Sequence, residues 1–327
     1  MHPHEEGALQ TRPAPEEIPP VLVWHPRAEE YRRALMARLP GVPIEVRTGA
    51  PHSPVRSEAE ILLGWALPPE ALIQVPNLRW MQATGAGVDD LLQRPDLPDH
   101  VQVTRSLGRF GDQAAEYTVG YLLHWLLRIE DYRRNQDRGV WRQMSRPLLA
   151  DRTVGIIGLG SIGSAIAERL SAFGTTVVGV SRSTRPHPHV RRVYAMKEWR
   201  QMLPACEALI LALPLTDSTR GMMDEAALRA LPAGAALVNV ARGAIVQEDA
   251  LLATLRDGHL TAAVLDVFQQ EPLPPDNPLW TEPRAWVTPH IAGPSEIEPI
   301  ADEFAANYQR FIDGDPLRHE VDRKNGY

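Results

Sequence analysis

The stretch that most constrains the fold is "TVGIIGLGSIGSAIAERLSAFG", residues 153–174. An apolar run suited to a buried strand passes directly into Gly158-Leu159-Gly160-Ser161-Ile162-Gly163. An amphipathic helix is expected over Ser161 to Phe173, with Ile162, Ala165, Ile166, Leu170 and Phe173 at helical spacing and Glu168 and Arg169 on the polar side. Gly174 stands where a helix C-terminus favours glycine. G-x-G-x-x-G is a weak pattern alone. Between a strand and a helix it reads as a dinucleotide-binding turn. Gly158 permits the tight turn, Gly160 lets a pyrophosphate approach the backbone, and Gly163 lets helix and strand pack closely. The free N–H groups and dipole of the helix then face the anion.

The rest of the chain repeats the alternation. "VLVW", "PIEVRT", "AEILLGW", "LRWMQAT" and "VQVTRS" read as strands, with "RAEEYRRALMARL" and "PPEALIQ" as helices among them. A long helical stretch, "QAAEYTVGYLLHWLLRIEDYRRNQDRGVW", begins near Gln113 and suits a connection between domains. After the glycine turn come the strands "TTVVGVS", "ALILALPL", "AALVNVA", "TAAVLDVF" and "AWVTPH". Such alternation gives parallel sheets with helices on both faces. A chain of 327 residues exceeds what one core usually serves. The expected fold class is α/β, with two doubly wound parallel-sheet domains. "PSEIEPIADEFAANYQRFIDG", with Ile300, Phe304, Phe311 and Ile312 on one side, follows the last strand and is expected to return to the first domain. That layout predicts a hinge over a central cleft, whose closure would exclude water.

Charge and composition narrow the partners. Net charge is −7, without a long basic stripe, which argues against nucleic acid. A small anionic substrate needs only one local cation. Cys206 is the only cysteine, so intrachain disulfides and Cys-based zinc sites are excluded, and its apolar neighbours predict a buried structural thiol. His187 and His189 lack acidic or thiol partners at metal-ligand spacing and read as loop residues; no metal is expected. The polar N-terminus has no apolar signal core, and no run approaches a membrane span. The expectation is a cytoplasmic protein without a membrane partner, with residues 1–19 as a flexible extension.

Three short stretches carry candidate chemistry: "NVARG" (239–243), "LDVFQQEP" (265–272) and "TPHIAG" (288–293). Each overlaps or follows a strand end of the second series, where ligands of open α/β sheets bind. Arg242, Asp266, Glu271 and His290 could therefore converge near a bound nicotinamide. Reducing a 2-keto acid needs a cation for the carboxylate, a proton donor for the carbonyl oxygen, and a hydride. Arg242 matches a carboxylate bidentately. The His290 imidazole titrates near working pH. Glu271 would orient His290 and favour its charged form.

The strand after the glycine-turn helix ends in Ser181-Arg182-Ser183, where NAD sites place a carboxylate on the ribose. A carboxylate would repel a 2′-phosphate. Ser181 removes that repulsion, Arg182 supplies a phosphate-binding cation, Ser181 and Ser183 offer hydroxyls, and Arg185 lies close in sequence. The expected cofactor is NADP, with NADPH preferred and NAD still possible.

The chain resembles the D-isomer-specific 2-hydroxyacid dehydrogenase family. The resemblance rests on "VGIIGLGSIG", "LALPLTDSTRGMM", "LVNVARGAIVQEDALLATL", "AAVLDVFQQEPLP" and "VTPHIAG", with "GAGVDD" and "AAEYTVGYLLHWL" in the first domain. "LLHWLLRIEDYRRNQ", "EPLPPDNPLW" and "VDRKNGY" make it most similar to the glyoxylate/hydroxypyruvate reductase branch. The resemblance implies that Arg242, Glu271 and His290 form the catalytic trio and that Asp266 meets the nicotinamide carboxamide. It implies further cofactor contacts at Leu213, Pro214, Thr219, Val240, Ala241 and Ala292. It assigns the substrate carboxylate to backbone amides at Ala86 and Gly87; read from the residues alone, "GAGVD" is a tight turn or an anion nest. Trp65 either lines the substrate pocket or belongs to the core. The implied organisation is a flavodoxin-like substrate domain over 20–116 and 293–327, interrupted by a Rossmann domain over 117–292, in a homodimer joined through the cofactor domains. The implied activity is reduction of a small 2-keto acid to its 2-hydroxy acid. The alternatives are a dehydrogenase of a larger D-2-hydroxy acid and a cofactor-sensing regulator.

Overall fold

The computed structural model describes residues 18–49, 56–324 and 326. Apart from Ile18 and Pro19, the expected N-terminal extension lies outside the described residues. Strands β1 (Val21–Trp24), β2 (Ile44–Arg47), β3 (Ile61–Gly64), β4 (Trp80–Ala83) and β5 (Gln102–Arg105) form a sheet in the order β2-β1-β3-β4-β5. Every neighbouring pair is parallel. Helices α1 (Ala28–Arg38) and α2 (Asp89–Leu92) belong to this half. The strand order is that of a flavodoxin-like sheet. All residues of β1, β3 and β4 are buried. These runs read as continuously apolar because both faces of the sheet are covered.

Helix α3 (Phe110–Leu126) follows, then α4 (Ile129–Asp137). The long helix expected from the sequence is therefore two helices. Arg128 sits in the left-handed region at φ 56°, which ends the hydrogen-bonded ladder and redirects the chain. α3 lies on α5 (Ser161–Ala172): a Cβ on Gly111 would stand 3.1 Å from the Ala165 Cβ, and Arg169 pairs with Asp112 at 2.8 Å. Gly163, Ile166, Ala167 and Leu170 form the buried face of α5, whereas Phe173 is 45% exposed, against the expected pattern. It caps the helix just as the chain turns at Gly174, φ +78°.

The second sheet holds β6 (Thr153–Ile157), β7 (Thr176–Ser181), β8 (Arg192–Ala195), β9 (Ala208–Leu211), β10 (Ala235–Asn239), β11 (Leu260–Leu265) and β12 (Ala285–Val287). Its order is β12-β11-β10-β9-β6-β7-β8, parallel throughout. This is the doubly wound Rossmann order with one strand added. β8 was not legible as a strand: it is a short edge strand with one buried residue, Tyr194, and no apolar run. Helices α6 (Trp199–Met202), α7 (Glu225–Arg229) and α8 (Glu248–Arg256) complete this half. Cys206 is buried within it, and burial pushes its thiol up to about 12.

The final helix, α9 (Ile297–Asp313), returns to the first sheet. Ile300 and Phe304 are fully buried, and Phe304 stacks on Trp80 with ring centroids 5.0 Å apart. Tyr308 joins this face, whereas Ile312 is 46% exposed and does not. Arg38 of α1 pairs with Glu298 and Asp302 of α9. Among the described residues no helix is long and apolar enough to cross a membrane.

The chain passes between the two sheets twice. At the first passage Leu107 and Gly108 donate their N–H groups to the Glu303 carboxylate at 3.0 and 2.8 Å. At the second, Gly293 lies so close to Phe110 that a Cβ there would be 3.1 Å from the ring.

Candidate active site

The C-terminal ends of both sheets face a shared cleft of about 330 Å³. The glycine turn follows β6, whose neighbours β7 and β9 continue in opposite directions, so it sits at the topological switch point. Its three glycines have separable tasks. Gly158 adopts φ +102°, and a Cβ there would lie 2.3 Å from the Ala212 carbonyl oxygen. A Cβ on Gly163 would lie 1.8 Å from the Gly158 carbonyl oxygen. A Cβ on Gly160 would meet nothing within 4 Å. The first and third are fixed by packing, while the second faces open cleft. Among the described residues the N–H groups of Ser161, Ile162 and Gly163 donate to no protein acceptor. The turn and its unsatisfied donors fit a dinucleotide pyrophosphate.

Ser181 and Arg182 line the cleft beside Leu159, Leu213, Pro214, Thr219, Val240 and Ala241. Ser183 follows in the exposed loop. The Thr219 hydroxyl is committed locally: it donates to the Pro214 carbonyl at 2.8 Å and accepts from the Thr216 N–H at 2.8 Å. It shapes the loop after β9. His187 and His189 bond Ser164 and Ser171 respectively. Among the described residues no group of three or more His, Cys, Asp or Glu is placed to hold a metal ion.

Asp266, 1% exposed, ties the end of β11 to residues 288–292. Its carboxylate accepts from the Thr288 hydroxyl at 2.6 Å and from the N–H groups of Ile291 and Ala292 at 2.8 Å each. Since Thr288 gives its proton to Asp266, the Tyr117 hydroxyl, 2.6 Å away, donates to Thr288. Burial pushes the Tyr117 phenol well above its ordinary value. This knot holds His290 at φ 55°, with its N–H on the Asp266 carbonyl at 3.0 Å.

His290 Nδ1 lies 2.8 Å from Glu271 Oε2, and Glu271 Oε1 accepts from the Phe268 N–H at 3.0 Å. The hydrogen bond to Glu271 raises the His290 pKa, outweighing burial and the nearby Arg242 charge. Burial alone would raise the Glu271 carboxyl, but the bonds from His290 and Phe268 hold it below the ordinary carboxylate value. The pair thus favours an ionised Glu271 with the hydrogen on Nδ1, which leaves Nε2 to serve as acid or base.

Arg242 is held on three sides. Its Nε donates to both oxygens of Asp89 at 2.9 and 3.2 Å, and one terminal nitrogen donates to the Ala241 carbonyl at 2.8 Å. Asn239 fixes the local backbone by bonding the Arg242 carbonyl and the Ala241 N–H. The other terminal nitrogen faces Gly87, where a Cβ would lie 1.4 Å from it. Among the described residues the N–H groups of Ala86 and Gly87 donate to no protein acceptor. Arg242, Ala86 and Gly87 line one cleft. Trp65 lies beside Gly85 and lines an adjoining cavity of about 210 Å³ with Leu67, Met81 and Gly87.

Several residues escaped the sequence reading. Asp89 stands in the quoted "GAGVDD", read only as a tight turn or an anion nest, and nothing local announces a partner across the cleft. Asn239 precedes Arg242 inside "NVARG". Tyr117 and Thr288 lie within the quoted "AAEYTVGYLLHWL" and "VTPHIAG", but nothing local to either announces the bond between them.

Residues 119–292 match the family described as D-isomer specific 2-hydroxyacid dehydrogenase, NAD binding domain. Solved structures match nearly the whole chain. A D-isomer specific 2-hydroxyacid dehydrogenase from Xanthobacter autotrophicus Py2, in complex with NADPH and MES, is 34% identical at a TM-score of 0.88, covering 94% of this chain and 100% of that one. An NADPH-dependent glyoxylate/hydroxypyruvate reductase from Sinorhizobium meliloti, in complex with NADP and sulfate, is 33% identical at a TM-score of 0.88, with the same coverage of 94% and 100%. A family protein from Aeromonas salmonicida subsp. salmonicida A449 is 35% identical at a TM-score of 0.84, again covering 94% and 100%. Fold, cleft and these likenesses agree: the chain belongs to the D-isomer specific 2-hydroxyacid dehydrogenases and is an NAD(P)-dependent enzyme of that family.

Proposed function

We propose that the protein reduces a small 2-keto acid of the glyoxylate or hydroxypyruvate class to its 2-hydroxy acid, with NADPH as the preferred donor. The observation that carries this reading is the His290–Glu271 pair, standing close enough to Arg242 for the charges to interact beside a cleft that also holds the glycine turn. The nicotinamide, when bound, supplies the hydride. Arg242 and the adjacent amides of Ala86 and Gly87 together bind the substrate carboxylate. His290 Nε2 gives its proton to the carbonyl oxygen, and Glu271 holds the imidazolium that precedes transfer. Asp266 and Ala292 fix the turn carrying His290, and would stand next to the nicotinamide when it is bound. Leu159, Leu213, Pro214, Val240 and Ala241 form the walls. NADPH preference is supported by the absence of a carboxylate at Ser181, by Arg182 in the cleft, and by the NADPH and NADP complexes of similar proteins.

The cavity beside Trp65 and Gly87 supports a second reading, a substrate with a longer side chain. A rate series over 2-keto acids of increasing length decides between the two. His290→Ala is expected to lower kcat by about 10²–10⁴-fold, the usual contribution of a general acid, with cofactor affinity retained. Glyoxylate or hydroxypyruvate reduction by that variant at the parent rate would refute the mechanism.

We also propose a homodimer. It is supported by the segment from α4 to β6, which exposes Ile129, Val140, Trp141 and Leu148, with Trp141 96% exposed.

A further inference from the structure

Arg105 ends β5 and belongs to the first sheet, yet it lines the cleft together with Ser181 and Arg182 at the end of β7. Its backbone is fixed by an N–H bond to the His319 carbonyl, and one terminal nitrogen donates to the Ala86 carbonyl at 3.2 Å. A guanidinium offers five N–H donors. Among the described residues no carboxylate pairs with this one; the carboxylate at the same wall, Asp89, is taken by Arg242. Burial, and then the charge of Arg182, lower the Arg105 pKa. Two cations from two sheets thus face one cleft, the half-buried Arg105 and the exposed Arg182, and repel each other. An anion bound between them would relieve that repulsion.

We propose that Arg105 is a second ligand of the cofactor's 2′-phosphate, reaching from the substrate side of the cleft to complete the site begun by Ser181 and Arg182. The proposal rests on the NADPH reading of those two residues. A 2′-phosphate carries close to two negative charges at neutral pH and presents three acceptor oxygens, enough for a guanidinium on either side. The pyrophosphate is the other anion of the cofactor, but the open face of Gly160 and the free N–H groups of α5 already provide for it. With both arginines engaged, the phosphate converts a repulsion between the sheets into a bridge. NADPH would then draw the cleft together in a way that NADH could not.

The test is calorimetric titration of the full-length protein with adenosine 2′,5′-bisphosphate and with 5′-AMP, which differ only in the 2′-phosphate. The parent is expected to bind the bisphosphate more tightly, and Arg182→Ala is expected to lose that difference. These two results test the underlying cofactor reading by themselves. Arg105→Ala is expected to lose about ten- to a hundredfold in bisphosphate affinity while its 5′-AMP affinity is unchanged, which also shows that the variant is folded. Arg105→Lys, which keeps the charge without the fork, is expected to fall between. A parent that discriminates, combined with an Arg105→Ala variant that binds the bisphosphate as the parent does, would overturn the assignment of Arg105 alone. So would an equal loss for both ligands, or a rise confined to the KM for the keto acid, which would make Arg105 a support for the Ala86 turn. A parent that does not discriminate would overturn both.

Discussion

At the residue scale, His290 combines two costs that its neighbours offset. A left-handed backbone at a non-glycine residue costs about 1–3 kcal/mol and persists only where the surroundings enforce it. Here the enforcement is the Asp266 knot, with three donors on one buried carboxylate. The second cost is keeping an imidazolium in a partly desolvated cleft, which Glu271 offsets. The direction of the shift sets the pH behaviour. His290 is raised above the ordinary imidazole value, so its protonated form persists below that raised pKa and is lost as pH rises through it. The kcat/KM for reduction should therefore decline as pH rises through that raised value. Glu271→Gln removes the charge that causes the shift, and the alkaline limb should move to lower pH. pH–rate profiles of parent and variant check this; an unmoved limb would mean that Glu271 only positions the ring. The strand-end placement of Arg242, Glu271 and His290 was legible because apolar strands announce where they stop. Asp89 was not, since its partner is 153 residues away and reached only through the packing of two sheets.

At the scale of elements, the glycine turn separates two properties that one motif usually confounds. Gly163→Ala places a methyl against backbone, so α5 must shift from β6, at a cost of about 1–3 kcal/mol. Gly160→Ala places it in open cleft and should leave stability within about 0.5 kcal/mol. The same change obstructs the approach of the pyrophosphate and should weaken NADPH by about tenfold or more. Denaturant unfolding read beside cofactor titration tests both. Equal behaviour of the two variants would contradict the division of labour. Strand–glycine–helix patterns like this were legible because period and punctuation agree. The break at Arg128 was not: the run around it keeps helical residues on both sides, and a left-handed turn made by an arginine has no compositional mark. The exposure of Phe173 and Ile312 has a related cause, since each stands at the end of its helix, where the apolar stripe outlasts the surface it packs against.

At the scale of the whole molecule, two parallel sheets present their carboxyl ends to one cleft, and the α/β class followed from the alternation of the chain. Which surface meets a second copy was not written in that alternation. The exposed segment around Trp141 gives a direct check of the proposed dimer. Trp141→Glu puts a charge where an apolar anchor is exposed, and a dimer built on it should become a monomer in sedimentation or light scattering, at an unchanged folding midpoint of the isolated chain. A variant that keeps its dimer mass would move the interface elsewhere. The double passage of the chain between the sheets has a mechanical consequence. A single link would act as a ball joint, free to swivel and twist. Two links, one pinned by Glu303 and the other lying against Phe110, remove most of those freedoms. What they leave is rotation about the line that joins them, as with a door hung on two pins, so the jaws of the cleft can part and meet again without losing their alignment.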